Sequence, residues 1–329
     1  MMNALVLKNK EKYTEVFTRQ MIEKISKHHN LLTEPIIEID LEKHSHTLKK
    51  TDILFTTWGA PYFDEALLSK FPRLKYIFYA AGDVNHLISQ AIWDRGIQVS
   101  TAKAINTIPV AEYTLAQILF SLKGGWNMVR SVKENQDFSS KNQPWVGNYG
   151  KTIGLISLSE VGKEVIKYLK GFNYDILIYD PYVSEEICNQ YEVQKANLKD
   201  VFLKVDLISL HAPLTSETTN MINKELFSVM KKHAIFINTA RGAIVNEREM
   251  IEVLQKRKDI TAILDVTDPE PPENDSELYK LENVILTPHM AGSLGTERER
   301  LAQVMVEESI RYLNREPLKF EMKPEKASI

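Results

Sequence analysis

Three side chains suited to a single reaction stand at the ends of three separate apolar runs. They are Arg241 in Thr239-Ala240-Arg241-Gly242, Glu270 in Val266-Thr267-Asp268-Pro269-Glu270, and His289 in Pro288-His289-Met290-Ala291-Gly292. Histidine titrates near neutral pH and can give a proton to an alkoxide. A glutamate beside it favours the imidazolium and fixes its tautomer. Arginine presents a planar fork that binds a carboxylate by two hydrogen bonds. Together the three suit hydride reduction of a carbonyl that adjoins a carboxylate. Each alone has an ordinary structural explanation; their position on separate strand-end loops of one sheet is what points to a site.

A fourth segment bears on the hydride source. Gly154-Leu155-Ile156-Ser157-Leu158-Ser159-Glu160-Val161-Gly162 spans a strand-to-helix junction. A dinucleotide fingerprint would place glycines at 157, 159 and 162, for a tight turn, close approach to a pyrophosphate and close helix packing. Only Gly162 is a glycine here. Ser157 and Ser159 are small enough to serve the first two needs, and the N–H groups of Glu160 and Val161 open a helix that offers an anion its N-terminus. A plain strand–helix turn is the alternative. Asp180 ends the next strand eighteen residues after Gly162, near the spacing of an acid that binds ribose hydroxyls. Asp180-Pro181-Tyr182 brings no arginine for a 2′-phosphate, so NAD is expected over NADP.

These residues need strands to carry them. Strand-like runs fall at 4–7, 36–39, 52–56, 76–80 and 97–100, with helical patterns at 15–27 and 63–71. A long amphipathic stretch from Ile108 to about Arg130 follows Thr107 as N-cap. After a polar loop at 134–149, a second series runs through 152–158, 175–179, 206–210, 234–238, 261–265 and 283–287. Helices fit between these strands at 160–170, 223–230 and 247–255, and a last one at about 294–314 precedes a charged tail. Short apolar strands alternating with helices predict α/β architecture with doubly wound parallel sheets, which bind ligands beyond the carboxyl ends of their strands.

Composition narrows the function classes. The 329 residues carry 41 Lys+Arg against 44 Asp+Glu, and 43% are hydrophobic. That length suggests about two domains. A near-neutral balance without a basic block leaves no footprint for nucleic acid or an anionic membrane. No apolar run reaches the roughly 18 residues of a membrane span, and the N-terminus does not read as a secretory signal. The single cysteine, Cys188, excludes an internal disulfide framework and makes the cytoplasm the expected compartment. No His/Asp/Glu spacing reads as a metal site.

The strings HAPLT (211–215), INTARG (237–242), LDVTDPEP (264–271) and LTPHMAG (286–292), with Ala81-Gly82-Asp83-Val84 and Val110-Ala111-Glu112-Tyr113, resemble the signatures of the D-isomer-specific 2-hydroxyacid dehydrogenases. The resemblance implies a Rossmann coenzyme domain, about 104–293, inserted into a smaller flavodoxin-like substrate domain, 1–103 with 294–329, and a catalytic cleft between them. It implies that Arg241 binds the substrate carboxylate and carbonyl, His289 is the acid/base and Glu270 tunes it. Asp265 is similar to the acid that holds the nicotinamide carboxamide, and the Ala81 and Gly82 backbone would grip the substrate carboxylate. His211, Ala212, Pro213, Thr239, Ala240 and Ala291 fall on the cofactor side of the same loops; His211 is equally readable as a structural loop residue. Trp58 would narrow the pocket or stack on substrate, with core packing as the alternative.

Family members are usually dimers joined through the coenzyme domain, which makes the helix from Ile108 the expected interface. The resemblance implies an NAD-dependent oxidoreductase acting on a small 2-keto or D-2-hydroxy acid. Phosphoglycerate dehydrogenase, glyoxylate or hydroxypyruvate reductase and phosphite dehydrogenase are the alternatives within the family. Formate dehydrogenases of this fold pair their histidine with glutamine, so Glu270 argues against that activity. The loops at 56–62 and 79–86 hold no Arg or Lys for a substrate phosphate. Nothing after residue 329 is expected to supply a regulatory amino-acid-binding domain. From another class, an NAD-sensing corepressor would keep the triad but act by binding proteins, and the two serines leave room for a degenerate, non-catalytic member.

Overall fold

A computed structural model describes residues 1–9, 13–84, 86–142 and 145–323. The chain divides into two compact units, Met1–Thr107 with Ser293–Ile329, and Ile108–Gly292. The division falls inside a helix, Lys103–Leu122, a few residues beyond the position expected from sequence.

In the first unit the strands are β1 (Asn3–Lys8), β2 (Asn30–Leu31), β3 (Ile36–Ile37), β4 (Ile53–Thr56), β5 (Tyr76–Tyr79) and β6 (Gln98–Thr101). They run parallel in the order β2-β1-β4-β5-β6, and β3 pairs further along the same edge of β1. Counting β2 and β3 as one interrupted strand, this is the flavodoxin-like order. The second unit holds β7 (Lys151–Ile156), β8 (Tyr174–Tyr179), β9 (Gln194–Lys195), β10 (Leu207–Leu210), β11 (Ile235–Asn238), β12 (Thr261–Leu264) and β13 (Val284–Leu286). Their order, β13-β12-β11-β10-β7-β8-β9, is all parallel. It is the dinucleotide-binding order 3-2-1-4-5-6 with one strand added, and its direction reverses between β7 and β10.

The apolar runs are continuous because both faces of each sheet are covered. In the second unit Ile208, Leu210, Phe236, Ala262 and Leu264 pack into one core, while Leu207, Ile235, Ile237 and Ile263 pack into another on the opposite face. The first unit divides alike, with Leu5, Leu7, Leu54 and Ile77 on one side and Ala4, Val6, Ile53, Phe55 and Phe78 on the other. Period-two alternation therefore survives inside runs that look uniformly apolar.

Several sequence expectations need correction. The strand expected at 36–39 is only Ile36–Ile37, and a 3-10 helix, Glu38–His44, follows it. Thr107 is not an N-cap; its Oγ1 donates to the Lys103 carbonyl, 3.1 Å away, within the helix. The long amphipathic stretch is two helices, Lys103–Leu122 and Gly125–Asn135, broken at Gly124. Gly124 has φ +70° and a Cβ there would lie 2.2 Å from the Trp145 ring, so the chain turns where only glycine fits. Part of the polar loop is thereby helical, and its Gln143 and Pro144 lie outside the described residues, as does the tail beyond 323. The two-residue strands β2 and β9 carry too little pattern to be read from sequence.

Candidate active site

The turn after β7 keeps the backbone shape of a dinucleotide loop without its first two glycines. Ser157 has φ +80°, the left-handed region that favours glycine. Its amide donates to the Tyr179 carbonyl at 2.7 Å, and its hydroxyl donates to Asp180 Oδ2 at 3.1 Å. Leu158 N donates to the same oxygen at 2.8 Å, and Tyr182 N donates to Oδ1 at 2.9 Å. The buried Asp180 thus ties the turn after β7 to the end of β8. Ser159 caps the Glu160–Leu169 helix, accepting from Gly162 N at 3.3 Å. A Cβ on Gly162 would meet the Ser157 carbonyl oxygen at 2.4 Å, so the close helix approach excludes any other residue. Val161 packs on the adjoining core, and Glu160 pairs with Lys163 at the surface.

The neighbouring strand adds a buried polar atom without a protein partner. His211 is buried at the end of β10; its amide bonds to the Ile156 carbonyl at 2.9 Å, and Nε2 has no hydrogen-bond partner. Burial pulls its pKa down to about 3, so the ring is neutral. Ala212 is buried beside it, and the exposed Pro213 accepts from Thr218 Oγ1 through its carbonyl at 2.7 Å. A left-handed turn, a capped helix N-terminus, a glycine-only contact and an acid on the next strand fit a dinucleotide.

On the other side of the switch point, Asn238 shapes the arginine turn. Its Oδ1 accepts from Ala240 N at 2.9 Å and its Nδ2 donates to the Arg241 carbonyl at 3.1 Å. Arg241 is exposed, with Nη1 donating to the Ala240 carbonyl at 2.6 Å. Thr239 is buried against Thr114, their hydroxyls 3.5 Å apart. Sequence reading missed Asn238; an Asn just before a strand-end turn, able to bond backbone two residues on, was the available signal.

The histidine is held from two directions. Its Nδ1 lies 2.6 Å from Glu270 Oε1, and both side chains are about half exposed. Its backbone adopts φ +50°, an unusual conformation for a non-glycine residue and one that clusters at functional sites. The buried Asp265 supports that conformation: its carbonyl accepts from His289 N, Oδ1 from Thr287 Oγ1 and Met290 N, and Oδ2 from the buried Ala291's amide, all within 3.0 Å. Thr287 in turn contacts the Tyr113 hydroxyl at 2.8 Å. A neutral ring that donates Nδ1–H to Glu270 has its acceptor lone pair at Nε2. The structure therefore brings Arg241, Asp265, Glu270 and His289 onto neighbouring strand ends of one sheet.

The residues expected to bind substrate from the first unit stand at its own strand ends. Ala81 is buried just past β5, and a Cβ on Gly82 would lie 3.2 Å from Asn106 Nδ2. Thr57 Oγ1 donates to the Ala80 carbonyl at 2.9 Å, joining the loops after β4 and β5. Trp58 packs on both cores of this unit and on Tyr13, ring centres 5.1 Å apart. Among the described residues no group of three or more His, Cys, Asp or Glu is placed to hold a metal ion.

The NAD binding domain of the D-isomer specific 2-hydroxyacid dehydrogenases matches residues 115–291. The chain belongs to that family. It is 33% identical over 282 residues to glyoxylate reductase of Pyrococcus horikoshii, covering 84% of each chain. It is also 33% identical over 265 residues to D-3-phosphoglycerate dehydrogenase of Methanocaldococcus jannaschii, covering 80% of this chain and 50% of that one. The chain spans about half the length of the phosphoglycerate dehydrogenases it matches. Its fold is that of the D-isomer specific 2-hydroxyacid dehydrogenase from Lactobacillus delbrueckii ssp. bulgaricus in its NAD complexed form, with TM-score 0.79 and 22% identity over 97% of this chain and 100% of that one. Family membership and the fit of the turn make NAD the cofactor.

Proposed function

We propose that the chain is an NAD-dependent dehydrogenase interconverting a small 2-keto acid and the corresponding D-2-hydroxy acid. The observation that carries this reading is the 2.6 Å contact between His289 Nδ1 and Glu270 Oε1 at a strand end next to the arginine turn. When bound, the nicotinamide supplies or accepts the hydride. Ser157, Ser159, Gly162 and Asp180 would hold the dinucleotide, the first three through the turn and helix N-terminus, Asp180 through ribose hydroxyls. Asp180 and the absence of an arginine beside it favour NAD over NADP.

In reduction, Arg241 binds the substrate carboxylate and polarises the carbonyl, and His289 delivers the proton from Nε2 to the oxygen that becomes the hydroxyl. Glu270 accepts the Nδ1–H and so fixes the ring's tautomer. In oxidation His289 takes the proton back. Asp265 is assigned the nicotinamide carboxamide. Absence of Lys and Arg from 56–62 and 79–86 favours an unphosphorylated substrate, as does the likeness to a glyoxylate reductase over most of both chains.

The test is NADH oxidation followed by absorbance against glyoxylate, pyruvate, hydroxypyruvate, phenylpyruvate and 3-phosphohydroxypyruvate. Turnover of one or more unphosphorylated acids is expected. Silence across the panel with NADH binding intact would replace this reading with an NAD-sensing or non-catalytic role.

The proposal extends to a homodimer formed through the second unit. Phe120, Val129, Phe138 and Tyr149 are exposed there, and Trp126, Val129, Val284 and Ile285 line a shallow groove. Sedimentation should show a dimer that Val129→Glu converts to monomer; a monomeric parent contradicts the assignment. The cytoplasm is the proposed compartment, supported by a buried free thiol at Cys188. Among the described residues no helix is long and apolar enough to cross a membrane.

A further inference from the structure

The arginine turn and the glutamate loop are packed backbone to backbone. A Cβ on Gly242 would stand 2.0 Å from the Thr267 carbonyl carbon, 2.1 Å from its oxygen and 2.6 Å from Asp268 N. The segment that carries Arg241 therefore lies directly on the segment that leads to Glu270, with no room for a side chain between them. Beside this contact Glu247, the first residue of the Glu247–Leu254 helix, accepts a hydrogen bond from Asp268 N at Oε2, 3.2 Å away. Thr267 Oγ1 donates to the Pro269 carbonyl at 2.8 Å, closing the turn just before Glu270.

We propose that Glu247 is a positioning residue for the acid–base pair, holding the backbone of the 267–270 loop against Gly242 so that the Glu270 carboxylate meets His289 Nδ1. The inference rests on the reading of His289 and Glu270 as that pair. A bond of 2.6 Å tolerates little displacement of its acceptor, and the 267–270 loop is otherwise largely solvent-facing. A side-chain oxygen that accepts a backbone N–H fixes the stretch of chain that donates it, so it is a suitable anchor for such a segment. Burial pushes the Glu247 carboxyl pKa up; the Asp268 amide opposes that shift and the Asp268 carboxylate adds to it. The anchor is thus a partly desolvated group whose main compensation is the loop it holds.

The experiment compares Glu247→Ala with Glu247→Gln, which keeps an acceptor of similar reach. The readout independent of turnover is the low-field proton NMR resonance of a strongly hydrogen-bonded imidazole Nδ1–H, assigned to His289 by its loss in Glu270→Gln. Glu247→Ala should weaken or abolish this signal and lower kcat on the order of 10-fold, with KM for the keto acid within about twofold. Glu247→Gln should restore both. Gly242→Ala should move kcat and KM together, because it displaces the arginine turn as well. If Glu247→Ala keeps the resonance and parental kcat, or if Glu247→Gln is as impaired as Glu247→Ala, the positioning role is overturned. Should the parent prove silent toward every keto acid while the resonance is lost in Glu247→Ala and kept in Glu247→Gln, the assigned reaction fails and the positioning role stands.

Discussion

The two halves of the second unit's carboxyl edge solve opposite problems. Around β7 and β8 the side chains depart from the glycine pattern, yet the backbone keeps its shape: Ser157 takes φ +80° and Gly162 still meets its carbonyl. Around β11, β12 and β13 the side chains match the family's motifs, and their placement depends on other side chains, with Asn238 shaping the arginine turn and Asp265 carrying the histidine loop. A phosphate is bound by amides and a helix end, so the first region needs a path of the chain more than particular residues. Proton transfer needs particular atoms, so the second region needs identities and a scaffold that aims them.

Asp180 is the side chain that ties the turn after β7 to the end of β8. Its carboxylate accepts from Ser157 Oγ, Leu158 N and Tyr182 N. Asp180→Ala should weaken NADH binding on the order of 10-fold or more while leaving NADPH nearly unchanged, and should lower the melting temperature, because a buried amide loses its partner. Fluorescence titration with both cofactors checks this; selectivity equal to the parent's would remove Asp180 from cofactor choice.

Of two histidines at this edge, His211 is buried near the turn and His289 is half exposed beside Glu270. His211 keeps a pKa of about 3 against 6.5 for a free imidazole. Its folded pKa lies below its unfolded one, so the unfolded chain binds the extra proton between those values and stability falls as pH falls below 6.5, by about 1.4 kcal/mol per pH unit. His29 in the first unit, drawn down to about 4 by burial first and then by His28, acts the same way. Urea unfolding from pH 7 to 4.5 should show a shallower acid loss in His211→Asn than in the parent; parallel curves would place the proton uptake elsewhere.

The smallest effect belongs to Ser157→Gly. It relieves a left-handed conformation worth roughly 1 kcal/mol but surrenders the bond to Asp180 and gains backbone freedom when unfolded. These oppose each other, so stability should shift by less than about 1 kcal/mol and NADH affinity by less than about threefold. A large gain in affinity would show that serine impairs the turn; a large loss would show that its hydroxyl is needed.

Much of this was legible in the sequence. The apolar runs located all ten strands of three or more residues among the described residues, and the Arg, Glu and His at their ends are the groups proposed for the reaction. Residues acting at long range were not legible. Gly242 is required because Thr267 lies against it, and Glu247 matters because Asp268 reaches it; neither contact leaves a local pattern. The break at Gly124 was hidden likewise, since the obstacle is the Trp145 ring from a later loop. Asp265 was recognised, but its bonds to Thr287, Met290 and Ala291 add a role in holding the histidine loop that its motif does not state.

His289→Ala separates the cofactor turn, built from backbone, from the proposed proton-transfer pair, built from side chains. NADH dissociation constant and kcat for the best keto acid are to be measured on the same preparation. Binding within about twofold of the parent and kcat lower by at least about 10²-fold are expected. Near-parental turnover, or a loss of NADH binding that by itself explains the loss of activity, would contradict that separation.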